Sequence, residues 1–444
     1  MAGSAIVMPK VITNLTLLCL LAAAFTSTWG GIRYLPVGQI GDAFLALTLA
    51  LIIGLVIFGN LRFRTPAWIW IAPIAVVVCL AIRWMDPIPW SEIIVRYTEP
   101  PFEPNNFPKA IFWLIALIAV PVVIIGATAL NPRTPRLVMA AFTAGICVSA
   151  LVSITDLLGI SDIAVELGVT NEVAARQSGL TVHSVMLGLT CVLAIPFALY
   201  FIFTIRHKWI PALGLLVLFG GVLASGSRGC QAASVLVLLL SFALAPNKRD
   251  RSFKFAVAAV AVAAVALVVF AQIFVGDVLD QLFRFGEVTN IASSDQSRSR
   301  LAQQAIEDFQ KYSIAGLGLK AIVQAHSLPL QLLQSGGLIL FVSVVTYWIW
   351  CLRDAWVLSR RGHTLARYLF VSIFAWLALG VIENQLTDRL LYYTVGCVAA
   401  LSAHYLVRGA SGTPIPEGLQ PDPESAAPAG SADADRKQLL KARR

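Results

Sequence analysis

Residues 109–130 read KAIFWLIALIAVPVVIIGATAL. One charge, Lys109, stands in this run, and apolar and polar side chains do not alternate along it. A strand of a membrane barrel would alternate over segments of about 10 residues. A run of about 20 mainly apolar residues is what a helix needs to cross the hydrocarbon layer of a bilayer. Residues 109–130 therefore predict a membrane-spanning helix. Working outward, the same reading applies at 11–30, 41–60, 66–85, 137–160, 182–204, 209–225, 230–246, 254–275, 332–352, 366–383 and 389–407. The chain is expected to be an all-α polytopic integral membrane protein of twelve transmembrane helices. The first run is longer than the short apolar core of a cleaved signal peptide and is read as a helix.

Composition agrees. Of 444 residues, 58% are apolar and 13% charged, and mean hydropathy is +0.79. Soluble domains run about 45–50% apolar and about 25% charged. An ordinary soluble enzyme and a disordered chain are both excluded. Lys and Arg set the orientation. With the N-terminus in the cytoplasm, the inner loops collect Lys10, Arg62, Arg64, Arg133, Arg136, Arg206, Lys208, Lys248, Arg249, Arg251, Lys254, Arg353, Arg360, Arg361 and Arg367, against the acids Asp250 and Asp354. The net charge of +9 is thus spread over short inner loops and implies no nucleic-acid partner. His207 and His363 fall in these loops and are read as solvated. The seven cysteines lie in or at the edge of apolar runs, so they read as small buried side chains.

The chain divides into a membrane domain, 1–408, and a Pro/Ala/Gly/Ser-rich tail, 409–444, expected to be disordered and cytoplasmic. Three outer segments are longer than a turn: about 86–108, 161–181 and 276–331. Within the last, residues 298–310 (RSRLAQQAIEDFQ) predict an amphipathic helix with Leu301, Ala305 and Phe309 on one face. The acid pairs Asp277/Asp280, Glu307/Asp308 and Asp433/Asp435 are read as solvated, and no metal site is predicted.

Arginines on the outer side run against the positive-inside pattern. Arg228 stands in GSRG, 226–229, between the seventh and eighth runs. Two glycines let backbone come close to a ligand, and a guanidinium fork suits phosphate. Arg96, Arg284 and Arg389 are read as arginines snorkelling to the interface. Two histidines belong to the outer side, His183 and His326. A neutral imidazole at an interface suits a general base near neutral pH.

The stretch from Gly316, GLGLKAIVQAHSLPLQLLQSGG, resembles the signature of the O-antigen ligase family, which also holds O-antigen polymerases and protein O-oligosaccharyltransferases. There a G-x-G precedes H-[NS]-x-x-L-x-x-x-x-E-x-G at the end of a long periplasmic loop. Gly316, Gly318, His326, Leu330 and Gly337 match; Ser327 stands where Asn is frequent and Ser335 where many members have Glu. Ser227–Arg228–Gly229 resembles the family's arginine-bearing short outer loop. Arg298 or Arg300 stands at the place of an arginine before the G-x-G. Arg176 with Gly179 and His183 resembles R-x-x-G…[NH].

This resemblance implies a GT-C-like glycosyltransferase of the bacterial inner membrane, with both termini cytoplasmic and a periplasmic active site. It implies a donor glycan on undecaprenyl diphosphate, lipid A–core as acceptor in lipopolysaccharide biosynthesis, membrane lipid as surroundings, and no cofactor. His326 is expected to be the general base, with Arg228 beside it in the reaction. Arg176, Arg228, Arg298 and Arg300 are expected to hold the diphosphate, with His183 and Gln331 as further substrate contacts. Transfer is expected to be metal-independent and inverting. A polymerase, a protein O-oligosaccharyltransferase, and, in a different class, a lipid or glycan transporter are the other readings. A transporter usually carries charge near the midplane of its spans, and these runs are nearly free of it.

Overall fold

In the computed structural model, the described residues are 10–32, 39–59, 61–89, 106–169, 176–245, 251–274, 288–319, 326–381 and 389–407. Among them every regular element is helical. In chain order these are α1 (Lys10–Thr26), α2 (Ile40–Ile57) and α3 (Ile71–Met85). Next, α4 (Asn106–Leu114) runs through a π-helical turn, Ile115–Ala119, into α5 (Val120–Leu130). Then come α6 (Thr134–Leu157), α7 (Ser184–Thr204), α8 (Trp209–Ala224), α9 (Arg228–Ala243) and α10 (Arg251–Phe274). The last are α11 (Val288–Lys311), α12 (Leu328–Arg360), α13 (Thr364–Leu379) and α14 (Arg389–Ser402).

Each of the twelve apolar runs coincides with helix. Six helical segments among the described residues are long and apolar enough to cross a membrane, and α1, α8, α9 and α13 are apolar but shorter. This is the character of a membrane protein. Burial is graded from centre to rim: 89% of the apolar window of α7 is buried, against 28% of that of α2. α7 packs on α6, α8, α9 and α13. Val11, Leu18, Ile57, Leu239, Val262 and Ile349 face outward and are exposed, as apolar side chains do where the solvent is lipid.

The predicted amphipathic helix exists and is longer than expected, running from Val288 to Lys311 as α11. Ala305 on its predicted face is buried, and Leu301 and Phe309 are partly so.

Three readings change. Asp354, expected in an inner loop, is 4% exposed because α12 continues past it to Arg360. Its carboxylate accepts from Trp68 Nε1 at 2.9 Å and from Ser402 Oγ at 2.6 Å, and Arg353 lies 3.3 Å away. A buried charge persists where it is paired and hydrogen-bonded. His363 is not solvated: it is 8% exposed and packs edge-on to the Tyr405 ring, centroids 4.0 Å apart. Asp308 is not a solvated acid but a contact of α12, described below. Asp277, Asp280, Arg96, Arg284 and the tail 409–444 lie outside the described residues.

Candidate functional site

The site is built from two loops at one end of the bundle. The first is the turn before α9. Gly226 has φ +60°, the left-handed region that favours glycine, and Ser227 caps α9 by accepting from the Cys230 N–H. Arg228 therefore opens the helix and is exposed at its tip. Arg176 holds this turn from outside. Its Nε donates to Ser225 O at 3.3 Å and its Nη2 to Gly226 O at 3.4 Å. The Gln177 N–H adds a bond to Ala224 O at 3.0 Å. A Cβ on Gly226 would lie 3.1 Å from Arg176 Cγ, so the glycine is favoured by conformation, and this arginine leaves little room for a side chain there.

His183 stands just along the same strip. Its Nδ1 accepts from the Met186 N–H at 3.2 Å, making it the N-cap of α7. The expected substrate contact thus has a structural duty at Nδ1. Arg176 likewise has donors engaged with the turn that presents Arg228.

The second loop leads into α12. Gly337, inside that helix, has φ +59° and ψ −154° and breaks it. The break would leave the carbonyls of Gln334 and Ser335 without helical partners. Leu317 N–H bonds Gln334 O at 2.7 Å and Gly318 N–H bonds Ser335 O at 3.0 Å. On the other side of the break, Leu338 N–H bonds Ser313 O at 2.8 Å and Ile339 N–H bonds Ile314 O at 3.2 Å. Segment 313–318 thus replaces about one turn's worth of helical bonding, which backbone within a membrane protein must find somewhere. Gly316 and Gly318 take φ +61° and +114° to run this path. Gln334 Nε2 also donates to Asp308 Oδ2 at 2.8 Å, tying α11 to α12.

His326 ends the loop, partly buried, at φ +44°. Among the described residues it is the one non-glycine at positive φ. Such a conformation is sparsely populated for a residue with a Cβ and persists where its surroundings impose it. Two residues on, the Leu328 N–H bonds Gly380 O at 2.6 Å, fixing the start of α12 to the end of α13. Gln331, expected to touch substrate, is 7% exposed and donates from Nε2 to Ser335 Oγ at 3.0 Å within α12. Ser335 is the position where Glu was anticipated.

The two loops lie at the same end. α13 packs on both α7 and α9, with Ser372 Oγ bonded to Leu193 O at mid-helix. At the far end Arg367 Nη1 reaches Leu244 O, just past the end of α9. The opposite end of α13, at Gly380, is therefore level with the start of α9. Arg176, His183, Arg228 and His326 share that end. Arg298 and Arg300 are exposed on α11.

Residues 213–345 match the family model described as O-antigen ligase. That segment belongs to the O-antigen ligase family. A comparison with curated proteins gives no match. The ligase-family segment runs from α8 through the start of α12 and so contains Arg228, Arg298, Arg300, His326, Gln331 and Gly337. Arg176 and His183 precede it, and Arg176 packs against it through Ser225 O and Gly226 O.

Two residues beside the family segment were not singled out from sequence. Arg83, at the end of α3, is 7% exposed, sits 5.4 Å from the Tyr312 ring centroid, and reaches Asp86 at 3.5 Å. Cys79, one turn earlier, donates to Gly336 O at 3.6 Å. α3 thus backs the break in α12. The available signal was an arginine at the outer end of a run, which positive-inside does not account for. Arg389, read as snorkelling, is instead ion-paired with Asp42 and stands over the Phe112 ring at 5.7 Å.

Proposed function

We propose that this chain is an O-antigen ligase, acting at the periplasmic face of the bacterial inner membrane. It moves a glycan from undecaprenyl diphosphate to a sugar hydroxyl of lipid A–core. The observation that carries the reading is His326. A strained histidine in a segment matching the ligase family, at the bundle end where α9 presents Arg228, is what base-assisted transfer from an anionic lipid donor calls for.

The acceptor hydroxyl is a weak nucleophile. The His326 imidazole takes its proton as the acceptor oxygen bonds to the anomeric carbon. The bond from that carbon to the diphosphate oxygen breaks, and its electron pair leaves with the lipid diphosphate. Arg228 stabilises the charge that develops there, with Arg176 holding the turn that presents it. Attack opposite the leaving group inverts the anomeric configuration. Proton removal by His326 and cation stabilisation by Arg228 account for both halves of the reaction, so the reading includes no metal.

The test is reconstitution. Purified protein receives an undecaprenyl diphosphate-linked glycan and lipid A–core in EDTA, beside His326→Ala. Slower-migrating lipid A–core from the wild type alone is expected. Lengthening of the donor instead would convert the reading to a polymerase of the same family. Loss of activity in EDTA, restored by a divalent metal, would remove the metal-free mechanism.

A further inference from the structure

A cavity of about 190 Å³ opens at the same end of the bundle, where five parts of the chain meet. Its walls include Thr28 after α1, Gln39 before α2, Phe112 of α4, Met186 of α7 and Arg389 of α14. At about 30 Å³ per water, it has room for some six waters. Nothing in the catalytic proposal uses it.

The chemistry of the walls is polar and neutral. The Arg389 guanidinium is ion-paired with Asp42, so the cavity offers donors without net positive charge. Gln39 brings an amide, which both donates and accepts. Thr28 is 2% exposed and its Oγ1 is buried with no hydrogen-bond partner in the protein. A buried hydroxyl without a partner is costly, and rotation of the Thr28 side chain toward the cavity would bring it to a ligand hydroxyl. Phe112, with 38% of its surface exposed, supplies an aromatic ring. The opening is kept by a glycine: a Cβ on Gly30 would lie 2.7 Å from Gln39 Nε2 and 2.9 Å from Val182 Cγ2.

The cavity also borders the candidate site. Val182 and Met186, both on its wall, bracket His183. The strip that carries them continues back to Arg176 on the Arg228 turn. Gly31 N–H bonds Leu180 O at 2.9 Å, holding the end of α1 against this strip.

We infer that this cavity is a subsite for one uncharged sugar ring of the glycan substrates, one step away from the reacting bond. The inference rests on the ligase reading for the identity of the substrate. A neutral cavity with mixed donors and acceptors, an unpartnered hydroxyl and an aromatic wall suits a polyol ring. A phosphate would meet the Arg389 guanidinium already paired with Asp42.

The full-length protein in lipid nanodiscs would be probed with methyl glucoside, galactoside and mannoside by saturation-transfer NMR. Ring protons of at least one pyranoside are expected to be saturated. The signal should fall about threefold or more in Thr28→Val, which deletes one hydrogen bond while keeping the β-branched shape. It should fall likewise in Gly30→Ala, which narrows the opening. Thr28→Val should retain the wild-type melting temperature or exceed it, since it removes a buried hydroxyl without a partner, so its loss of signal is not a loss of fold. No saturation with any pyranoside, equal signals in both variants and wild type, or displacement of the pyranoside by inorganic phosphate would each overturn the subsite. The transfer assay is read separately. Pyranoside binding lost in the variants, with no transfer by the wild type, would sink the ligase reading and leave the subsite standing. Transfer that proceeds with no pyranoside binding would do the reverse.

Discussion

Leu338 and Gln334 stand four apart in α12, yet the Leu338 N–H bonds Ser313 O and the Gln334 carbonyl accepts from Leu317. The exchange is possible because Gly337 is left-handed and its missing Cβ leaves space. A Cβ there would lie 2.4 Å from Ile314 O. Gly337→Ala is therefore expected to cost ~3 kcal/mol or more, combining φ strain with a backbone clash that cannot relax. It should lower both the melting temperature and the yield of folded protein in detergent. An unchanged melting temperature would show that the break in α12 is not required.

The positive φ of His326 separates chemistry from conformation. Asn tolerates the left-handed region better than most residues. His326→Asn is expected to fold at least as well as His326→Ala and to be equally inactive, with transfer down by ~10²-fold or more, the lower range for a lost general base. Substantial transfer by the Asn variant would mean that His326 serves loop shape and not proton removal.

The Arg176–Gly226 contact predicts a coupled pair. Gly226→Ala meets both a φ of +60° and the Arg176 side chain, and ~1–3 kcal/mol of destabilisation is expected. Arg176→Ala in that background should recover only the crowding and leave the φ strain. A double-mutant cycle on melting free energies is the check, with a coupling of ~0.5 kcal/mol or more expected between touching residues. Strict additivity would show that the turn does not depend on Arg176.

The fold was legible where it depends on local composition. Apolar runs near 20 residues located the helices, and the amphipathic stripe Leu301–Ala305–Phe309 located α11. The glycines of GSRG, 226–229, marked the turn before α9. Partners distant in sequence were not legible. Asp354 meets Trp68 across 286 positions and Ser402 across 48. Asp308 meets Gln334 across 26. An acid looks solvated until the helix that covers it is placed. Arg389 was misread for the same reason, since Asp42 and Phe112 come from other helices. The break at Gly337 was hidden because the apolar pattern continues through it and the bonds that replace the helix come from a separate segment.

The register of α11 decides between its two arginines. At 100° per residue, Arg298 falls within about 20° of Ala305, seven positions on, while Arg300 lies about 160° from the Arg298 direction. Ala305 is fully buried, and Asp308, on the same side, bonds Gln334 of α12. On the far side, with Arg300, lie the exposed Lys311 and Gln303; Arg298 and Arg300 are both exposed, and register alone separates them. Arg298 therefore shares the face that packs toward the body of the protein, and Arg300 belongs to the outward face. Arg298→Ala is expected to reduce transfer at limiting donor by ~10-fold or more, as for the loss of a charge-assisted contact of about 1.5–3 kcal/mol. Arg300→Ala should stay within about twofold of wild type, as exposed surface positions usually do. Initial rates across a range of donor concentrations would distinguish them. The reverse ranking would mean that α11 turns about its axis when the donor binds, or that neither arginine holds it.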